Sequence, residues 1–325
     1  MSNSIQLNLF NILNYENYYH VTSLLYENIH NNILSWLTIF FIFINFFFKI
    51  TAAPFHFWAP SVYGKGPIAS VTFLSIFFKV VIFFLMFKLL YTIFHSFHKT
   101  ISPILFFFGI LSICFGILGA FSEKILKRFF VYSSMGHVGF MLVALSVFSL
   151  NGASASFHYL FIYILTSFLL WYVLFFLGSN KSHLSDLGVL KNSQPILGFL
   201  FTLIGFSMSG IPPLAGFFIK FNVFCSLYEK SQIIGFAFLL ILTLPAFFYY
   251  LRVLKIIWFD GSSLYNNEHD LSLTLQTSDK IDFEEEGENL AFSYTYLAFP
   301  IIFYVFFVKL PLTQLQAEML FSLFS

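Results

Sequence analysis

The chain is built of long apolar runs cut by short polar joints. About twenty consecutive apolar residues cross the hydrocarbon layer as a helix, and eight stretches approach that length: 33–60, 67–91, 101–121, 128–150, 155–178, 195–227, 232–259 and 291–310. Two of them are interrupted by proline, the first at Pro54 and the sixth at Gly210-Ile211-Pro212-Pro213. A proline break frees backbone groups that lipid cannot satisfy, so each break must face protein or trapped water. Short joints make sequence neighbours antiparallel neighbours. The pattern therefore predicts an all-α, polytopic transmembrane helical bundle of eight spans, two of them broken.

The polar remainder divides the chain. Residues 1–32 form a polar extension rich in Asn and Tyr, with Glu16 and Glu27, too poor in apolar residues to span. The bundle occupies 33–259. Residues 260–290 carry Asp260, Glu268, Asp270, Asp279, Asp282, Glu284, Glu285, Glu286 and Glu288 against Lys280, and read as a solvated acidic loop. A last span and a short tail fill 291–325. Lys65, Lys124, Lys127, Arg128, Lys181 and Lys191 fall in joints on one side, and Lys99 and Lys230 on the other, with Lys88 and Lys309 near helix ends. The richer side faces the matrix or cytoplasm by the positive-inside rule.

Composition narrows the function classes. Of 325 residues, 58% are hydrophobic and 10% charged, with a mean hydropathy of +0.84, whereas soluble domains carry about 25% charged residues. A net charge of +1 from scattered basic residues speaks against a nucleic-acid partner. Cys114 and Cys225 lie apart in apolar runs and form no C-x-x-C, so no metal, cluster or other cofactor is expected in this chain. No arginine-rich transit peptide or signal peptide is visible at the start. Fifty-one phenylalanines, with abundant Ile, Asn, Tyr and Lys, suggest an AT-rich, organelle-encoded gene.

The chemistry sits on cations inside the apolar runs. Lys49 sits inside the unbroken run from Ile33 to Ile50, five residues before Pro54, and reads with Lys79 of the second segment as near mid-span; Lys220 lies just beyond the second break. An intramembrane ammonium costs several kcal/mol and is a functional candidate by default. Its proton affinity answers to burial and to the approach of a carboxylate, which suits it to hold and release a proton. The competing reading is that each lysine snorkels or pairs structurally. His137, in Ser133-Ser134-Met135-Gly136-His137, and His158 could extend a relay, since histidine both donates and accepts near neutral pH. Trp58 and Tyr63 read as interfacial anchors. Arg252 is expected to snorkel or to meet the acidic loop. Two broken helices in one chain also point to a midplane ion site.

These residues carry a resemblance. Lys49 with Pro54-Phe55-His56-Phe57-Trp58-Ala59-Pro60, Val62-Tyr63, Phe73-Leu74-Ser75 and Lys79 resembles the antiporter-like subunit 2 family of respiratory complex I, NADH:ubiquinone oxidoreductase. So do Lys127-Arg128 with Tyr132-Ser133-Ser134, Gly210 to Phe218 with Lys220, and Tyr249-Tyr250-Leu251-Arg252-Val253, in order and spacing, over about 33–259. The resemblance implies an antiporter-like bundle of inverted repeats and a proton-translocating membrane-arm subunit. Lys49, Lys79 and Lys220 would be its relay lysines, and flavin, iron–sulfur clusters and quinone would reside in partner subunits of a mitochondrial inner membrane complex. A sodium/proton antiporter subunit shares several motifs and is the alternative. The family's helices before the one ending at Lys49, including the one whose carboxylate faces that lysine, have no counterpart here. A separate polypeptide is expected to supply them. Ser61 stands where the family commonly has Asp, and Gly64-Lys65 where it commonly has Glu-Gly.

Overall fold

The structure is a computed structural model that describes residues 33–92, 94–177 and 183–259. The polar extension 1–32, Lys181, the acidic segment 260–290, and the last expected span with Lys309 lie outside these residues. The first broken run resolves into α1 (Ile33–Lys49) and α2 (Trp58–Lys65). Then come α3 (Ile68–Thr92), a 3-10 turn (Phe94–Phe97), α4 (His98–Ser122), α5 (Leu126–Ser146) and α6 (Leu150–Leu177). A second 3-10 turn (Leu184–Val189) and one-turn α7 (Leu190–Ser193) lead to α8 (Pro195–Ser209), α9 (Ala215–Glu229) and α10 (Ile233–Trp258). Five helices, α3 to α6 and α10, are long and apolar enough to cross a membrane. The protein is a multi-pass, all-helical membrane protein.

One joint falls earlier than the sequence suggests. Asn151-Gly152-Ala153-Ser154 reads as loop by polarity, yet it forms the first turn of α6. Ser149 is the reason: its Oγ accepts from Gly152 N–H at 3.0 Å, and its carbonyl from Ala153 N–H at 2.9 Å. That is an N-cap satisfying a free helical donor.

The bundle has an axis. In α5, 89% of the apolar window is buried, against 33% for α3 and 28% for α10. Because α5 is nearly enclosed by its neighbours, it can carry serine, histidine and glycine at positions that would be costly against lipid. In hydrocarbon, helices associate through close packing and hydrogen bonds rather than hydrophobicity. Here α4 and α5 meet backbone to backbone: a Cβ added at Gly139 would lie 2.6 Å from the Gly109 carbonyl oxygen. The outer helices turn Phe73, Phe77, Ile241 and Phe248 outward.

Cations close the helix ends. Lys127 Nζ donates to the Gly66 carbonyl at 2.8 Å, Lys191 Nζ to Trp258 at 2.9 Å, and Arg252 Nη1 to Phe121 at 2.8 Å. At the opposite end Lys230 Nζ donates to the Val147 carbonyl. Each acceptor lies in or just past the last turn of α2, α10, α4 or α5, where the helix dipole is negative and a cation contributes about 0.3–1 kcal/mol. Arg252 thus completes α4; whether it also meets the acidic segment lies outside the described residues.

Candidate functional site

Polar side chains converge on the axis from four helices. Lys79 on α3 is 1% exposed, and its Nζ donates to Ser134 Oγ on α5 at 3.0 Å and to the Tyr163 hydroxyl on α6 at 3.2 Å. The same ammonium lies 5.4 Å from the Tyr163 ring centroid. Beside it is a cavity lined by Tyr63, Ser75, Ser133, Ser134, Tyr163 and Ser167, with about 20 Å³ open to water centres. That is room for about one water among polar partners.

His137, one helical turn beyond Ser133 on α5, is held at both ring nitrogens. Nδ1 lies 2.9 Å from the Tyr159 hydroxyl of α6, and Nε2 lies 3.1 Å from the Tyr250 hydroxyl of α10. Tyr250 is in turn hydrogen-bonded to Ser133 Oγ. A neutral imidazole donates at one nitrogen and accepts at the other, whereas an imidazolium donates at both. Hydroxyl partners fit either state, because each can donate or accept.

Lys220 on α9 is 6% exposed and sits at the end of α8, the first half of the second broken helix. Its Nζ donates to the carbonyls of Met208 at 2.9 Å and Ser209 at 2.8 Å. Those carbonyls belong to the last turn of α8, where the dipole and the free acceptors favour a cation. The geometry depends on glycine at two places. Gly210 adopts φ +90°, and its N–H and that of Ile211 both return to the Phe206 carbonyl at 3.1 Å, ending α8 in a left-handed turn. A Cβ at Gly216 would stand 1.6 Å from the Ser207 carbonyl oxygen, so only glycine lets α9 start against the end of α8. Phe140 of α5 lies 5.6 Å under the Lys220 ammonium and stacks on Tyr159 at 5.9 Å.

Lys49 is placed differently. Its helix stops at Lys49 itself, so the ammonium stands at the break, exposed, with no hydrogen bond or ion pair among the described residues. Asn45, one turn earlier, is exposed on the same face. The described carboxylates Glu123, Asp186 and Glu229 all lie at helix ends. His158 is half-buried, next to Tyr159 on α6. Tyr63 is no interfacial anchor: it is 2% exposed and lines the cavity beside Lys79. Trp58 stays half-buried, its indole donating to the Phe48 carbonyl at 3.1 Å.

Sequence reasoning names the cations but passes over Tyr159, Tyr163 and Tyr250. A signal for the first two exists: Ser156, Tyr159, Tyr163, Thr166 and Ser167 recur at helical spacing and mark one polar stripe on α6. Tyr250 gives no such pattern, because Tyr249 beside it looks the same.

Comparisons agree with this architecture. The family model described as NADH:quinone oxidoreductase/Mrp antiporter, transmembrane, matches residues 2–244. NADH-quinone oxidoreductase subunit N of Pelagibacter ubique is 38% identical over 251 residues, covering 74% of this chain and 52% of that protein. NADH-ubiquinone oxidoreductase chain 2 of Oenothera berteroana is 36% identical over 231 residues, 69% of this chain and 46% of that one. A respiratory complex I structure from Thermus thermophilus with bound aureothin matches at 28% identity and TM-score 0.59, covering 70% of this chain and 51% of that chain. An Mrp complex structure from Dietzia sp. shares the fold, at 18% identity and TM-score 0.63, over 70% of this chain and 43% of that one. The chain spans about half the length of the relatives it matches. It belongs to the NADH:quinone oxidoreductase/Mrp antiporter family of membrane subunits, and the relatives it resembles there are the antiporter-like subunit known as N or 2.

Proposed function

We propose that this chain is part of a proton-translocating membrane subunit of NADH:ubiquinone oxidoreductase, in the mitochondrial inner membrane. The observation that carries it is the run of buried, reversible hydrogen-bond partners from Lys79 through Ser134 and the adjoining cavity to Ser133, Tyr250, His137 and Tyr159. Such a run conducts protons without holding a fixed charge. Lys79, bonded to Ser134, would store and release the proton at one end, and Lys220 would do so beyond the other, across Phe140 from Tyr159. Electron transfer would take place on flavin, iron–sulfur clusters and quinone in other subunits, and this chain would bind none of them. It would respond to the field or movement they create.

Lys49 faces outward without a described partner. A helix bearing a carboxylate, from the half of the relatives that this sequence does not match, would cover it. We place that helix on a separate polypeptide, and a purified complex with no such companion chain would refute the placement. The sodium/proton antiporter reading is supported by fold likeness alone, while the relatives at 36–38% identity are oxidoreductase subunits. The deciding experiment counts protons moved per electron pair by the assembled complex in sealed vesicles. Lys79→Ala should lower the count with NADH oxidation retained, and an unchanged count would refute the proposal.

A further inference from the structure

We infer that Tyr250 is a proton-carrying residue, and that its hydroxyl is the switch joining the cavity beside Lys79 to His137. This rests on the relay reading above and adds a member to it.

Tyr250 is the described residue whose hydroxyl touches both Ser133 Oγ and His137 Nε2. It comes from α10, whereas the serine and the histidine lie four residues apart on α5. The two α5 groups are thus bridged by an outside hydroxyl. That hydroxyl is buried within Tyr250, itself 3% exposed. A phenol has one proton to give and oxygen lone pairs to receive. When His137 Nε2 is bare, Tyr250 must donate to it, and its oxygen accepts from Ser133. When Nε2 carries a proton, Tyr250 must accept there, and its own proton turns to Ser133. The direction of the whole bridge is therefore set by the state of one nitrogen.

The transfer balances without a tyrosinate, with water as the carrier at both ends. Lys79 gives a proton to a water in the cavity, which passes one to Ser133 Oγ as Ser133 passes its own to the Tyr250 oxygen. The Tyr250 proton moves to Nε2, the proton on Nδ1 moves to the Tyr159 oxygen, and the Tyr159 hydroxyl proton goes to a second water. One proton leaves Lys79 and one reaches the second water, and each O–H or N–H bond broken is matched by one formed. Rotation of the hydroxyls resets the line. Tyr249, tilted against Tyr250 at 4.6 Å, hydrogen-bonds Ser133 and Tyr250, but none of the described hydrogen bonds joins it to His137, so it does not duplicate the bridge.

The test compares Tyr250→Phe with Lys79→Ala and Lys220→Ala in the assembled complex in sealed vesicles, reading protons per electron pair and the amount assembled. Tyr91→Phe controls for loss of a hydroxyl elsewhere, since Tyr91 donates to the Ser149 carbonyl at the far end of the bundle. Tyr250→Phe should slow transfer through this subunit about 100-fold, the low end for one positioned proton-transfer group, bringing the count down to that of Lys79→Ala. Tyr91→Phe should keep the full count. If both lysine variants keep the full count, the relay itself is wrong. If they lose it while Tyr250→Phe keeps it, only the role of Tyr250 falls. Should Tyr250→Phe not assemble, 3-fluorotyrosine at position 250 keeps the ring and hydroxyl but makes the phenol more acidic. A changed solvent deuterium isotope effect on pumping then supports the inference, and an unchanged one overturns it.

Discussion

The two helix breaks end their first halves alike and then diverge. After α1, Thr51 takes φ 62° and Ala52 N–H returns to the Phe47 carbonyl at 2.8 Å; after α8, Gly210 takes φ 90° and Ile211 N–H returns to Phe206 at 3.1 Å. Both are left-handed helix stops closed by a bond across six residues. Around the second, every group named above is paired: Lys220 serves Met208 and Ser209, and Ser207 Oγ accepts from Gly216 N–H at 3.3 Å. Around the first, Thr51 Oγ1 and His56 Nδ1 are buried without a hydrogen-bond partner among the described residues, and Lys49 faces outward. One break is finished within the chain. The other keeps unpaired groups among the described residues, in a chain that spans about half the length of the relatives it matches.

The sharpest attack on this contrast is Gly216→Ala. With 1.6 Å between the new methyl and the Ser207 oxygen, α9 must back away from α8, at about 3 kcal/mol, the upper part of the overpacking range. Thermal unfolding in detergent measures it, and an unchanged midpoint would mean the halves are not packed this tightly. Next comes a matched pair. Lys220→Met leaves two buried carbonyls without a donor, costing about 1–3 kcal/mol, whereas Lys49→Met leaves the chain's own unfolding midpoint in place. What Lys49→Met should weaken is recovery of the companion chain on purification. Equal shifts in the two midpoints would erase the distinction.

Gly210→Ala is milder, at about 1–2 kcal/mol for forcing a side chain into the left-handed region. Its methyl would also press on Lys220 Cδ at 3.0 Å, so pumping should fall more than stability does. The smallest effect runs the other way. Thr51→Gly removes both the left-handed strain of a β-branched residue and the unpaired hydroxyl, and should raise stability by about 1 kcal/mol. A lower midpoint would show that Thr51 Oγ1 has a partner in the assembled protein.

Apolar run length made the helices legible, and the prolines made the breaks legible, because both are local properties of the chain. The buried cations could be named for the same reason, as a lysine inside twenty apolar residues announces itself. Exposure could not be read this way. Lys49 and Lys220 look equivalent beside their prolines, but one lies before its break and the other after it, and only tertiary packing tells which face is covered. Tyrosine was the harder case. In a membrane chain it reads as a water-interface residue, and Tyr63 illustrates the error: nothing within its own helix reveals that Ser75 and Tyr163 will gather around it. Tyr250 acquires meaning solely from residues 113 and 117 positions away.

The capped helix ends have a consequence for how this protein can change over time. Lys127, Lys191 and Arg252 lie toward the end whose positive charge would steer insertion, and each also clips a helix from elsewhere in the chain. Topology and bundle integrity are thereby written in the same letters. A drift in charge that loosened the one would fray the other, so the basic end should tolerate exchange of arginine for lysine far better than loss of either.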